Sequence, residues 1–555
     1  MTAYWMVWDA AAAWVVDRLA SDGALPAVSA LRAAGVRAQA RPPVPNCQTP
    51  PSLASLFSGV ASARHGVTGF WVPGACGVGK MAQLPAFTPG VCREPMVWDR
   101  LAQIGVRSSF LHVPWVFGAD GEVPAYVDAA VEMFSRRRAR SGVLPLPTEG
   151  ESSNWLVAGS SVPIRVLGPR AVQVGDASVS LGGGWERVEL GLDVATMISL
   201  VALPNGLALA HTGAWHQRSA GQDRRLVELM AAEPTPVGEG LGAEYRRGLL
   251  GPRLVDGGTG EAEAIFLSSL ESVSESFMRP LRCLLANHSS DLVVIYLPMT
   301  DELGHELLGW CDRGSSAYDS AIERGVWPLV SAGYRYADRC LGAVLERATD
   351  GDTVFLSADH GIAGVAATFY PNAALARAGL AVPDRDPDAG ADTARSHVLY
   401  HLAGNGLMVT NEALLAGRSS ADKGACAETL MRSAMEVLGG LISPVTGSPV
   451  VRAFVDVDGR PVGPERGEAY LLVDGEHLPS PDIPADGSIF GPPLRNAAHT
   501  INTGDERLHA TFAAAGPGLE PGASLGVIDG GIIADLVAAA CRAHEGVART
   551  TEARR

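Results

Sequence analysis

The chain has 555 residues, 47% hydrophobic and 19% charged, so it can bury a large core and does not have the composition of a disordered chain. Its formal net charge of −16 argues against a nucleic-acid polymer or an anionic membrane as partner, since neither is drawn to such a field. A small phosphorylated substrate stays compatible, provided metal ions supply positive charge locally. Lys80 and Lys423 are the only lysines among 44 basic residues, a bias expected of a GC-rich bacterial genome. Eight cysteines (Cys47, Cys76, Cys92, Cys283, Cys311, Cys340, Cys426, Cys541) form no CxxC pair and no regular spacing, so neither a zinc ribbon nor a disulfide framework is indicated.

In chain order, YWMVW at residues 4 to 8 is a short apolar strand ending at Asp9, followed by a helix-like segment to about residue 35. The opening stretch has no basic n-region and carries Asp9 inside its apolar run, so it does not read as a signal peptide. No run of 18 apolar residues follows, and a cytoplasmic protein is expected. PNCQTPPSLASLFSG, residues 45 to 59, places Thr49 in a proline-stiffened loop before a helix whose N-terminal amides could face an anion. Ser52 reads there as a helix cap and Ser55 as a packing residue. Strand-like runs return at VRSSFLHVP (106 to 114), DLVVIYLPMTD (291 to 301) and DTVFLSADHG (352 to 361), the last two after helical stretches. Continuous apolar strands alternating with helices predict an α/β fold with a mostly parallel sheet sandwiched by helices.

Two insertions interrupt this pattern. Residues 119–265 are rich in glycine, valine and turns, with short alternating segments that predict a β-rich cap. Residues 376–495 are dense in proline, glycine and aspartate and predict a small α+β element. The core is then expected over 1–118, 266–375 and 496–555, the last part ending in a C-terminal helix.

Ligands of parallel sheets bind at the carboxyl ends of the strands, so polar residues there are the ones to inspect. They are Asp9, Thr49, Asp301 with His305, Asp359 with His360, and the later His499. Carboxylates and imidazoles are ligands for zinc and similar divalent ions, and this set suffices for two neighbouring ions. A threonine hydroxyl needs metal coordination to act as a nucleophile at neutral pH. His509 competes with His499, but it sits in the alternating run LHATFAAA and reads as part of a strand. His397 and His401 have the spacing of one helical face and could bind a metal, but with no acid between them they read as a surface or core pair; His211 and His216 read as structural. Residues 136 to 138 read as a solvated basic run.

Together these motifs resemble the alkaline phosphatase superfamily, in its nucleotide pyrophosphatase/phosphodiesterase (type I phosphodiesterase) branch. That pattern has an acid after the first strand, T-x-P with a following HG, D-x-x-G-H, DHG, and a histidine before GPG. Here the counterparts are Asp9, TPPSLASLFSG with RHG, DELGH, ADHGI, and His499 seventeen residues before Gly516. The resemblance implies an alkaline-phosphatase-like core. It also implies two divalent ions, zinc in the first place with manganese or iron as alternatives. Asp9, Thr49, Asp359 and His360 would hold one, and Asp301, His305 and His499 the other. Thr49 would attack phosphorus to give a phospho-threonine intermediate on the way to hydrolysis of a soluble organophosphate.

Three positions depart from the pattern. The usual Asp-Gly is Asp9-Ala10, the T-x-P motif carries an added proline at Pro51, and Phe70 stands where family diesterases have an asparagine that contacts phosphoryl oxygens. Phe70 is therefore a substrate-facing candidate, and with Trp71 it could stack on a base or an aromatic leaving group. Phosphomonoester hydrolysis, phosphonate cleavage and phosphoryl transfer to another acceptor could use the same site. A sulfatase is disfavoured, because CQTPP has threonine where C/S-x-P-x-R needs proline. A degenerate metal-binding scaffold is the alternative of another class, motivated by Phe70. The natural substrate and the oligomeric state are not specified by the sequence.

Overall fold

The computed structural model describes residues 1–74, 82–134, 136–191, 194–232, 237–386, 390–417, 419–499, 501 and 504–552, the last nine by backbone alone. Cys76 lies outside these residues. The strands Ala3–Trp8, Leu292–Leu297 and Thr353–Ala358 are buried along their whole length, as expected of apolar runs covered on both faces. They form the centre of a nine-stranded sheet. From one edge the order is Arg218–Ala220, Val127–Glu132, Ser108–Leu111, Leu292–Leu297, Ala3–Trp8, Thr353–Ala358, Ala510–Ala515, Val36–Arg41 and Ala523–Asp529. Pairings are parallel except those made by Arg218–Ala220 and by Ala510–Ala515, so the sheet is mostly parallel. Among the covering helices are Glu261–Asn287 and Ser320–Arg347, whose apolar faces join the same core. Among the described residues no helix is long and apolar enough to cross a membrane.

The β-rich insertion consists of two antiparallel sheets of four and six strands, closed over Trp155, Val172, Ile198, Leu209 and neighbours. Within the range 119–265, however, Val127–Glu132 and Arg218–Ala220 pair into the main sheet. Val127–Glu132 is buried on both faces and extends the parallel pairing beside Ser108–Leu111, a burial pattern that belongs to a core strand. The second insertion is an antiparallel sheet of Val398–Tyr400, Leu407–Thr410, Glu468–Val473 and Val451–Val455 against the Ser420–Gly439 helix. Its core also takes Phe369, Leu375 and Ile501 from outside 376–495, because the flanking chain packs into the same apolar layer. His397 and His401 flank the strand Val398–Tyr400 and share no helical face; His397 is exposed and His401 is buried.

One close approach joins the helix Met299–Leu307 to the segment before Ala497–Ala498. Gly309 N–H donates to Asn496 Oδ1 (3.2 Å), Asn496 Nδ2 donates to Glu306 O (2.8 Å), and a Cβ on Gly309 would lie 1.9 Å from Asn496 O. The backbone there has no room to yield. Gly309→Ala is expected to lower stability in thermal unfolding by about 1–3 kcal/mol or more. Gly342→Ala, whose Cβ would meet only Ala27 Cβ at 3.9 Å inside a helix, should be neutral or stabilising.

Candidate active site

Register places the acids. Trp8 pairs with both Leu297 and Ala358, so the three central strands end at one level and the chains leaving them start together. Asp9 N–H continues the ladder to Leu297 O (2.9 Å). Ala10 then turns into the left-handed region (φ 51°), and its N–H donates to Asp359 Oδ1 (3.1 Å). That backbone geometry would suit a glycine, and alanine adopts it at a cost of about 1 kcal/mol.

Asp9, Asp359 and His360 form one group, with candidate ligand atoms within 4.8 Å of one another. Each acid uses one oxygen for structure and leaves the other facing the group. Asp9 Oδ2 accepts from Tyr296 O–H, while Oδ1 lies 3.5 Å from both His360 Nε2 and Thr49 Oγ1. Thr300 Oγ1 donates to Asp9 O and fixes the residue from behind. Asp359 Oδ1 accepts the Ala10 and His360 N–H groups, and Oδ2 lies 3.4 Å from His360 Nε2. His360 Nδ1 is 3.0 Å from Gly361 O, so Nδ1 carries the proton and Nε2 presents its lone pair. The glycine of this DHG motif is required by packing: a Cβ on Gly361 would lie 2.6 Å from Leu508 C.

Thr49 is the first residue of the wholly buried helix Thr49–Ser58, and its Oγ1 is 3.4 Å from His360 Nε2. The expected row of anion-facing amides is absent here. Pro50 and Pro51 have no N–H, and Ser52 N–H is taken by Gln48 O (3.1 Å), which leaves Thr49's own amide. Ser52 is inside the helix rather than its cap. Ser55 Oγ is bonded to His65 Nε2 (2.9 Å), which makes the histidine of RHG structural.

Asp301, His305 and His499 form the second group. The first two sit four residues apart on Met299–Leu307 and so share a helix face, with Asp301 Oδ1 3.2 Å from His305 Nε2. His305 Nδ1 lies 2.7 Å from Ala497 O, which again fixes the proton on Nδ1 and frees Nε2. His499 follows Ala497–Ala498, a strand held against Ala363–Gly364 just beyond His360, and its Nε2 is 3.7 Å from Asp301 Oδ1. The His499 ring stands 4.4 Å from His360 and 5.0 Å from His305, so the two groups adjoin. His509 is elsewhere, with Nδ1 against Gln39 Oε1 (3.3 Å).

The electrostatics ask for a cation. Burial, then the neighbouring acids Asp359 and Asp301, raise Asp9 well above the usual carboxylate range, and burial likewise raises Asp359. Burial lowers His305, and burial with the adjacent His360 and His305 lowers His499 far more, which keeps both imidazoles neutral, the form that binds metal. Asp301 Oδ1, His305 Nε2, Asp359 Oδ2 and His499 Nδ1 are buried without a hydrogen-bond partner. Four orphaned polar atoms in one place are costly unless something binds them. Oxygen and imidazole donors in two groups of three could hold one divalent ion each.

Phe70 lies at the exposed rim (43% exposed), edge-on to Phe87 at 6.5 Å. Phe87, Phe134 and Tyr296 continue this row of rings inward to Asp9. Sequence reasoning missed Tyr296 and Thr300; a tyrosine and a threonine flanking the end of an apolar strand were the available signal. His211 and His216 lie in the cap sheets, His216 Nδ1 accepting from Arg136 Nε at 2.9 Å. Arg137 pairs with Glu239 (3.1 Å), so this basic run is bound in place rather than simply solvated.

No curated protein matches the chain. Among solved structures it is similar to murine ectonucleotide pyrophosphatase/phosphodiesterase 5, at 8% identity over 98% of this chain and 95% of that one, with a TM-score of 0.49. It is also similar to phosphonoacetate hydrolase from Sinorhizobium meliloti 1021 in complex with phosphonoacetate, at 13% identity over 98% and 96% of the two chains, with a TM-score of 0.46. The model of the family "Type I phosphodiesterase / nucleotide pyrophosphatase" matches residues 6–167 and 254–420, more than half of the chain. The match skips most of the β-rich insertion and includes every residue of the two groups except His499. The chain therefore belongs to the type I phosphodiesterase/nucleotide pyrophosphatase family of the alkaline phosphatase superfamily, and it is a phosphoric ester hydrolase.

Proposed function

We propose that the protein is a two-metal phosphodiesterase or pyrophosphatase that cleaves a small soluble organophosphate through a phospho-threonine on Thr49. The observation that carries this reading is the placement of Thr49 Oγ1 within 3.5 Å of Asp9 Oδ1 and 3.4 Å of His360 Nε2, beside the Asp301–His305–His499 group. Asp9, Thr49, Asp359 and His360 would hold one ion and Asp301, His305 and His499 the other; zinc suits the donors best, and manganese or iron are accommodated. Bound there, the ions supply positive charge for the phosphoryl oxygens and lower the pKa of a coordinated hydroxyl.

Thr49 is oriented for in-line attack by being the first residue of a buried helix, which removes its backbone freedom before substrate arrives. Its Oγ–P bond forms as the ester P–O bond breaks, and water then attacks the same phosphorus to free Thr49. Tyr296 and the backbone N–H groups of Ala10 and His360 hold the carboxylates in place throughout, and Thr300 holds the backbone carbonyl of Asp9. Phe70 and Trp71, both exposed at the rim, present apolar surface to the leaving group. A cytoplasmic place of action and a bacterial source, the latter supported by the arginine bias, belong to this reading.

Purified protein should contain about two divalent ions per chain by elemental analysis. Thr49→Ala should lose turnover of a chromogenic phosphodiester by about a thousandfold or more while keeping its fold; turnover like wild type would show that Thr49 is not the nucleophile. Chelation should abolish activity and also lower the unfolding temperature, because the buried acids would then face one another without a cation. Added zinc or manganese should restore both.

A further inference from the structure

The helix that carries Thr49 offers an incoming phosphoryl group little from its own backbone. Pro50 and Pro51 lack N–H groups and Ser52 N–H is engaged, so beyond Thr49's own amide this helix end has no donor for the phosphoryl oxygens, and a further one must come from another group. One such donor stands next to the nucleophile. Gln48 Oε1 accepts from Phe70 N–H (3.3 Å) and from Asn46 Nδ2 (3.2 Å). A backbone N–H can only donate, so the carbonyl branch of the carboxamide faces Phe70 and the NH2 branch is turned the other way. Among the described residues Gln48 Nε2 has no hydrogen-bond partner.

The carboxamide is held from several sides. Asn46 is fully buried, accepts Gln48 N–H on Oδ1 (3.0 Å) and donates to Thr68 O (2.9 Å) and Asn405 O (3.4 Å). Gly69 lets the loop come this close: its Cβ would lie 2.9 Å from Gln48 Oε1 and 2.6 Å from Asn405 Cβ. The side chain is thus a fixed amide with two spare N–H donors, one residue from the attacking hydroxyl and bonded to the backbone of Phe70.

We propose that Gln48 is a catalytic residue of this site, its Nε2 donating to a non-bridging phosphoryl oxygen while Thr49 attacks. The proposal rests on the phosphohydrolase reading above. In the step, Thr49 Oγ gives its proton to solvent as it bonds phosphorus, the ester P–O bond breaks with its electron pair leaving on the departing oxygen, which takes a proton from solvent, and Gln48 gains or loses no proton. A preorganised donor aimed at developing charge is the arrangement that contributes most to acyl and phosphoryl transfer.

Gln48→Glu and Gln48→Met test it together: the carboxylate keeps an acceptor for Phe70 N–H and Asn46 Nδ2 but puts a charged oxygen in place of the NH2, whereas methionine removes both donors at similar size without adding charge. With metal content and unfolding temperature unchanged, kcat/KM on the chromogenic phosphodiester should fall by about a hundredfold. Binding of inorganic phosphate to the metal-loaded protein, read by calorimetry, should weaken by about tenfold or more. Gln48→Ala, which loses the anchor as well, should fall at least as far. If Gln48→Glu or Gln48→Met stays within about threefold of wild type in both measurements, Gln48 is not the donor and the proposal is overturned. If metal-loaded wild type neither binds phosphate nor turns over any ester, the phosphohydrolase reading itself fails, and this one with it.

Discussion

The structure turns on like charge brought together out of water. Three parallel strands end in register, and from their ends Asp9 and Asp359 converge on His360, with Asp301 close by. Burial alone disfavours such a cluster; Asp359 and Asp301 raise Asp9 further, while the neighbouring histidines hold Asp301 well below the usual carboxylate range. The fold holds them together by spending one oxygen of each acid on fixed donors: Tyr296 O–H for Asp9, and two backbone N–H groups for Asp359. What remains is a set of unsatisfied atoms pointing at common space, which is chemically a demand for a cation.

The second group is built differently. Asp301 and His305 come from one helix turn, but His499 is delivered by a short strand paired with Ala363–Gly364 directly after His360. The Gly309–Asn496 approach and the His305–Ala497 contact tie that strand to the helix, so ligands distant in the chain are positioned by the same few backbone contacts. Departures from the family pattern are absorbed locally. Ala10 takes the left-handed turn without glycine, and the paired prolines start the helix while deleting two of its free amides. The second of these leaves Thr49's own amide as the free N–H of that helix end.

Much of this was legible in the sequence because it is local. Fully apolar runs specified the central strands, the D-x-x-x-H spacing specified two groups on one helical face, and DHG at a strand end specified an acid and an imidazole at the sheet's edge. The insertions were visible as changes of texture, but their limits were not: Val127–Glu132 is short and apolar like its neighbours, and only pairing with Ser108–Leu111 assigns it to the core. The four-residue spacing of His397 and His401 was equally uninformative, since it fits the two ends of a three-residue strand as well as one face of a helix.

By itself the sequence determined the order of chemical groups along the chain, and with it the family and the nucleophile candidate, because motif spacing encodes which residues share a strand end or a helix turn. The tertiary structure alone decided which oxygen of each acid is free and which nitrogen of His305 bears the proton. It also decided that Gln48 turns its amide nitrogen away from Phe70. Each of these depends on a hydrogen bond between residues far apart in the chain, and such partners are set by packing rather than by spacing.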